Sequence, residues 1–305
     1  MAQKTWLGTT DGNYGTAGNW AEGSIPTSND AVTISSEAVN GLTSGLDQSA
    51  VAIDTFVVEE GFGYDIGTSL AYLQIACTGT GANFLKYAGA GGLAKIDVAA
   101  SAIPVEVRNT GSPAVGSYGL ELLGDNLTIV TVYRGNVGIG VLPGDATTDV
   151  NTVECLYLFP STRATDSTIT VGSGVTDNTG TPEGVDFRQS GGTIYAHCDT
   201  DNVSCTDGEY HQVDGIYDTG TFTGNSQIFY ENNGTGTLAT TKLYGTSIAR
   251  ILTQYAQTFT NLTLNSGSTW EDLEYKGVYS NGFVITGASD SVSIRIGVGR
   301  TLTPS

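Results

Sequence analysis

From Asp30 to the C-terminus the 305-residue chain is a succession of short β-type runs divided by Gly, Asn, Asp, Ser and Thr turns, and this limits its fold more than any single motif does. Inside the runs, apolar residues alternate with Thr, Ser or acid. Ala31-Val-Thr-Ile34 puts Val32 and Ile34 on one face. Asn261-Leu-Thr-Leu264 does the same with Leu262 and Leu264, and Ser291-Val-Ser-Ile-Arg-Ile296 with Val292, Ile294 and Ile296. A period of two means one dry face and one wet face. The pattern predicts strands at 31–34, 51–58, 70–77, 84–87, 93–98, 105–108, 119–123, 127–133, 137–141, 153–159, 168–171 and 185–187. It continues with 193–196, 210–213, 215–217, 227–230, 242–244, 248–252, 257–264, 273–275, 283–285 and 292–296. The best helix candidate, 248–258, offers only Ile251, Leu252 and Tyr255 as a stripe and is assigned to strand as well.

Composition agrees. There are 42 Gly, only 7 Pro and a single Met, so helix formers are scarce without a collagen or linker signature. Twelve basic residues against 31 acidic ones leave a net charge of −19, which repels nucleic acid and anionic membranes alike. No apolar run approaches the ~20 residues needed to span a bilayer. The start, Met-Ala-Gln-Lys-Thr-Trp, lacks an apolar signal region, so synthesis without classical secretion is expected.

Few architectures suit such a chain. A propeller would repeat every ~40–50 residues with a signature dipeptide, and none is present. A jelly roll of this length would need long structureless loops or two copies. A parallel β-solenoid tolerates imperfect repeats because each coil touches only its neighbours. The expected fold is therefore an all-β solenoid, with residues 1–29 as an N-terminal cap or docking segment and 30–305 as one continuous domain. Antiparallel β-sandwich domains are the alternative. The Asn-Gly pairs at Asn40-Gly41, Asn233-Gly234 and Asn281-Gly282 fit either hairpin turns or left-handed solenoid corners.

One stretch concentrates metal-type residues. His197-Cys198-Asp199-Thr-Asp201 leads through Cys205, Asp207 and Glu209 to His211, and it holds both histidines and two of the four cysteines. His-Cys-x6-Cys-x5-His is not a standard zinc spacing. Asp199, Asp201, Asp207 and Glu209 lack a complete calcium-loop pattern, because Val203 falls where a ligand belongs. The stretch is expected to be a solvated acidic loop, and no metal, cofactor or catalytic residue is assigned. Cys198 and Cys205 are close enough in sequence to pair across a turn, and a reduced state is expected. Glycan cleavage needs two opposed carboxylates and aromatic platforms. Tyr195, Tyr210, Tyr217, Tyr230 and Trp270 are the candidates for platforms, although buried ladders account for such tyrosines equally well. A serine hydrolase is rejected for want of a Gly-x-Ser-x-Gly elbow. Gly89-Ala-Gly-Gly92 lacks a phosphate-loop lysine and is a turn.

Several N-terminal motifs carry a resemblance: Trp6-Leu-Gly8, Asn19-Trp20, Gly23-Ser-Ile-Pro26, Asn29-Asp30-Ala-Val-Thr-Ile34, Gly45-Leu-Asp-Gln-Ser49 and Gly61-Phe-Gly-Tyr-Asp-Ile-Gly67. Residues 5–70 resemble bacteriophage virion proteins of the decoration (cement), head-fibre or tailspike type. A similar Asn-Trp…Pro…Asp pattern opens some bacterial adhesin β-helices. The resemblance implies a right-handed parallel β-helix, a homotrimer, and a structural place in the virion, assembled in the host cytoplasm. Trp6 and Trp20 would cover the open end of the solenoid, Pro26 would break the approach and Asp30 would start a turn; the same four residues are the candidates for capsid docking. The expected function is a non-enzymatic capsid decoration protein whose partners are its own copies and the major capsid protein. A tailspike or fibre that binds or cleaves host polysaccharide, and a bacterial surface adhesin, are the alternatives.

Overall fold

The computed structural model describes residues 1–78, 84–99, 103–111, 117–125, 127–141, 148, 150–156, 167–177, 184–232, 234, 236–253, 255–273, 277–279, 283–286 and 292–296. Among them the chain is all-β, with one short 3-10 turn at Ala17–Asn19 and no α-helix. The strands form two many-stranded parallel sheets, an arrangement consistent with a β-solenoid and not with an antiparallel sandwich. The chain divides into two compact units, 1–152 with 166–169 and 153–165 with 170–305. The division falls within β12 (Val150–Cys155) and β13 (Thr168–Val171).

In the first unit the chain alternates between sheets. One holds β1 (Gln3–Trp6), β2 (Ala31–Ile34), β4 (Thr55–Val58), β6 (Leu85–Tyr87), β8 (Ile103–Val107) and β10 (Leu127–Val132). The other holds β3 (Asp47–Ile53), β5 (Leu73–Cys77), β7 (Ala94–Ala99), β9 (Leu120–Gly124) and β11 (Asn136–Ile139). Register stacks like on like. Trp6, Ile34, Val58, Tyr87, Val107 and Val132 form one inward rank, and Val32, Phe56, Leu85, Val105 and Val130 form another. All of these are buried, and each such side chain contributes about 1.5–3 kcal/mol of transfer free energy.

The second unit repeats the scheme. One sheet holds β14 (Val185–Gln189), β16 (Thr200–Cys205), β18 (Tyr217–Phe222), β20 (Gly236–Leu243) and β22 (Gln257–Asn265), with β24 (Gly277–Tyr279) and β25 (Phe283–Thr286) both paired to β22. The other holds β15 (Thr193–Ala196), β17 (Glu209–Gln212), β19 (Gln227–Tyr230), β21 (Ile248–Ile251), β23 (Thr269–Asp272) and β26 (Ser293–Ile296). The core here is more aromatic. Phe187 meets Tyr210 at 5.5 Å between ring centroids, and Phe259 meets Trp270 edge-on at 4.9 Å.

Gly192, Gly208, Gly224, Gly245 and Gly267 recur in the turns that lead into this second sheet, all with positive φ. At Gly208, Gly224 and Gly267 space as well as conformation demands glycine. A Cβ on Gly208 would lie 2.6 Å from the Gly192 carbonyl oxygen, and one on Gly267 would lie 2.6 Å from that of Gly245. The Asn-Gly pairs behave differently from expectation. Neither Asn40 nor Gly41 takes positive φ, so the site is neither a hairpin turn nor a left-handed corner. Asn40 Nδ2 instead donates to Gly8 O at 2.6 Å, and Gly41 lets the Asp65 backbone approach within 2.5 Å of where a Cβ would stand. Asn233 and the Asn281-Gly282 pair lie outside the described residues.

Candidate functional site

Residues 197–211 do not protrude as an acidic loop. They form a corner at 197–199, the strand β16, a turn at 206–208 and β17 up to His211. The pattern hid β16 because Asp201 and Asn202 both point outward between buried Thr200 and Val203, and the pairing with β14 shifts register there. A bulge breaks the period of two. Cys198 and Cys205 therefore turn inward as buried thiols, and burial pushes the Cys198 thiol up to about 12. Cys205 Sγ donates to Gln189 Oε1 at 3.4 Å. His197 stays near the surface, its Nδ1 3.5 Å from Asp214 Oδ2. Among the described residues no group of three or more His, Cys, Asp or Glu is placed to hold a metal ion.

His211 belongs to a different construction. Parallel register places Tyr195, His211, Phe229, Arg250, Glu271 and Arg295 at one outward position on successive strands from β15 to β26. The imidazole is sandwiched, 4.5 Å from the Tyr195 ring on one side and 4.5 Å from the Phe229 ring on the other, the latter nearly parallel at 17°. His211 Nδ1 lies 2.9 Å from Glu231 Oε1, and Nε2 lies 3.8 Å from Glu209 Oε2. The Arg250 guanidinium then covers Phe229 at 5.6 Å, donates from Nε to Glu271 Oε2 at 2.7 Å and from Nη1 to Gln227 Oε1 at 2.9 Å. Arg295 Nη1 continues the chain to Glu271 Oε1 at 3.1 Å. Burial, with the Glu231 and Glu209 charges, raises the Tyr195 hydroxyl above its ordinary range.

Chemically this is a strip of ring edges, one phenol and several carboxylates and guanidinia. His211 has a ring on each side and Phe229 lies between His211 and the Arg250 guanidinium, so these two rings offer edges rather than flat stacking platforms. Of the five aromatic residues considered as platforms, Tyr210, Tyr217, Tyr230 and Trp270 are wholly buried, and only Tyr195 reaches the surface. The Tyr210 hydroxyl accounts for itself internally, bonding Thr200 Oγ1 at 3.1 Å and donating to Gln212 Oε1 at 2.7 Å. Phe229, Arg250, Glu271 and Arg295 attracted no notice in the sequence. Their common position emerges only once strand register is known.

The N-terminal candidates all lie inward in the first unit. Trp6 is fully buried and Trp20 nearly so, their rings edge-to-face at 5.3 Å, and Tyr14 meets Trp20 at 4.9 Å. Trp6 Nε1 donates to Asn40 O at 3.2 Å and Trp20 Nε1 to Tyr14 O at 2.9 Å. Pro26 is buried. Asp30 Oδ1 accepts from Ala2 N at 3.0 Å, while Oδ2 accepts from Thr27 N at 3.0 Å and from the Thr27 hydroxyl at 2.9 Å. Along the outer edge of β1, Ala21 N donates to Thr5 O at 2.9 Å, and Thr5 N donates to Glu22 Oε2 at 2.9 Å.

Compared with known protein families, curated proteins and solved structures, the chain matches none.

Proposed function

We propose that this chain is a non-enzymatic structural protein of a bacteriophage virion, a decoration protein that binds across neighbouring capsid subunits as a homotrimer. The observation that carries this reading is the use made of the chemistry-bearing residues. The one cluster of His, Cys and acids goes into stacking, core packing and rung-to-rung hydrogen bonds. A stack of that kind suits holding a position. Binding that favours only the assembled shell stabilises it by mass action, and a preformed solenoid loses little conformational entropy on docking. In this reading the coils wind right-handed, the usual hand of connections between parallel strands. In this reading residues 1–29 are a cap. Burial of Trp6, Trp20, Pro26 and Asp30 favours an end plug over a docking arm, and the bonds from residues 21–22 to β1 cover an edge that would otherwise invite pairing. The test is to add the purified protein to phage shells stripped of accessory proteins. Co-sedimentation and a higher temperature of shell rupture are expected; shells that neither bind the protein nor gain heat resistance would refute the proposal.

The Tyr195–Arg295 strip, flanked by Glu209 and Glu231, favours a second reading, a tailspike or fibre that binds host polysaccharide. Shortened chains after incubation with surface polysaccharide would move the assignment to that class.

A further inference from the structure

We propose that His211 and Glu209 form a binding site for a primary ammonium group, supplied by a lysine side chain of a partner protein; the choice of a protein partner rests on the decoration reading above. The tautomer of the ring is the first step. His211 Nδ1 lies 2.9 Å from Glu231 Oε1, and a carboxylate only accepts, so in the neutral ring the proton sits on Nδ1 and Nε2 is left an acceptor. Nε2 is buried and has no hydrogen-bond partner among the described residues. It faces a second acceptor, Glu209 Oε2, at 3.8 Å. Two acceptors aimed at each other satisfy neither, and an unmade bond at a buried atom is costly. A donor nitrogen about 2.9 Å from each answers both at once. The stack holds the ring edge ready for it, since His211 is only 8% exposed between Tyr195 and Phe229.

Charge decides which donor fits. Among the described residues neither Glu209 nor Glu231 forms an ion pair with a Lys or Arg. Arg250, two rungs on from His211, is held by Glu271 and Gln227. Burial first, and then the Glu231 and Glu209 charges, raise the neighbouring Tyr195 hydroxyl, so both carboxylates act on one spot. A cationic donor therefore binds better there than a neutral hydroxyl. The cation is not a metal ion, because no three His, Cys, Asp or Glu among the described residues are placed to hold one. A chain of net charge −19 also favours a basic partner over a further copy of itself. An ammonium donates three bonds from one point, which suits two separate acceptors, whereas the guanidinium fork suits the two oxygens of one carboxylate. Glu209 is the movable member, its side chain 46% exposed. Lysine brings its ammonium past it on an unbranched four-carbon stem, where an amino sugar would bring ring bulk.

Nitrogen NMR of the full chain with labelled histidine, at pH 8, tests the site, and the second histidine serves as an internal control. N-acetyl-lysinamide is expected to shift the His211 Nε2 resonance, saturating at millimolar concentration. His197, which has Asp214 3.5 Å from Nδ1, is expected to stay unmoved, and N-acetyl-norleucinamide, without the amine, to shift neither ring. Glu209→Gln is expected to weaken binding by about tenfold, and Glu37→Gln, the same change of charge at an exposed acid of the first unit, to leave it unchanged. The wild-type titration stands by itself if Glu209→Gln fails to fold. An unmoved Nε2, equal shifts at both histidines, or full binding by folded Glu209→Gln overturns the site. A tighter response to glucosamine than to N-acetyl-lysinamide overturns the lysine and gives the site to an amino sugar. Shell co-sedimentation is read separately. Shells that bind wild type and Glu209→Gln alike overturn the lysine contact and leave the decoration role standing. Shells that bind neither refute the decoration role and the partner with it, while the titration still judges the ammonium site.

Discussion

Gly220 sits in the middle of β18, and Gly220→Ala separates two arguments of opposite sign. Its φ is not positive, so alanine fits the backbone, and intrinsic preference makes the substitution stabilising by about 0.5–1 kcal/mol. The packing says otherwise. A Cβ there would fall 1.2 Å from the Tyr217 hydroxyl oxygen, 2.4 Å from its Cζ and 2.7 Å from a Phe222 ring carbon. Tyr217 is fully buried and has Tyr230 edge-on at 6.0 Å, so its ring has no vacant place to move into. Overpacking of this kind costs about 1–3 kcal/mol, and the overlap places the expected loss at the upper end. The assay is urea denaturation followed by Trp270 fluorescence, because Trp270 lies in the same aromatic cluster, 6.0 Å from Tyr230. Tyr217→Val removes the ring that occupies the space, so Gly220→Ala added to it should be neutral or slightly stabilising. The cycle is therefore expected to show a coupling of about 2–4 kcal/mol, the difference between the two backgrounds. If Gly220→Ala alone proves as stable as the wild type, the packing of Tyr217 described above is wrong.

Three further outcomes are expected. Asp30 is held below the usual carboxylate range: burial alone would raise it, but the Thr27 and Ala2 backbone N–H groups, the Thr27 hydroxyl and the Lys4 charge together outweigh that. Its stabilisation is complete above the unfolded value near 4 and fades as pH falls through the folded one, so melting curves should show the gap between wild type and Asp30→Asn closing under acid. Asp201 has the opposite sign. Burial first, then Asp177, Asp186, Asp218 and Asp199, raise it, so Asp201→Asn should increase the melting temperature at pH 7 and lose that advantage on acidification. Cys198, whose thiol is pushed up to about 12 by burial, should resist iodoacetamide at pH 8 in the native protein and react on denaturation, as read by peptide mass mapping.

What the sequence showed depended on where period two survived. β2, β13, β15 and β19 are regular four-residue strands with every second residue buried, and alternation locates each of them at its observed bounds. β16 and β18 both carry two consecutive outward residues, so alternation gives a loop in place of β16 and reaches β18 only as a strand at 215–217. β1 escaped because Trp6 is its only fully buried residue and the partner that makes it a strand lies some thirty positions away. The expected strand at 273–275 lies, apart from Leu273, outside the described residues, and alternation does not find β23, where Thr269 and Glu271 alternate with buried Trp270 and Asp272. Asp272 is an acid in an inward rank, which hydropathy cannot anticipate, and its Oδ2 accepts from the Tyr279 hydroxyl and from Gly277 N.

The same reasoning explains why motif spacing misjudged 197–211. In a parallel stack the neighbours of a residue are those one rung before and one rung after, and rung length varies as corners lengthen. Residues that are close in sequence then diverge: Cys198 and Cys205 enter the core while His197 stays near the surface. Residues distant in sequence converge, as Tyr195, His211 and Phe229 do. The recurring points are the positive-φ glycines from Gly192 to Gly267, and at Gly208, Gly224 and Gly267 the preceding rung also leaves no space for a side chain. Counting forward from those glycines does not bring the outward rank into line, since Tyr195 and His211 follow theirs by three residues, Phe229 and Arg250 by five and Glu271 by four; the strand pairing itself aligns Tyr195 to Arg295. The repeat legible in the sequence of this unit is a turn geometry, and register comes from the strand pairing. Substituting Gly208 should disturb the alignment of β15 with β17, and with it the Tyr195–His211 stack, more than substituting any one member of that stack.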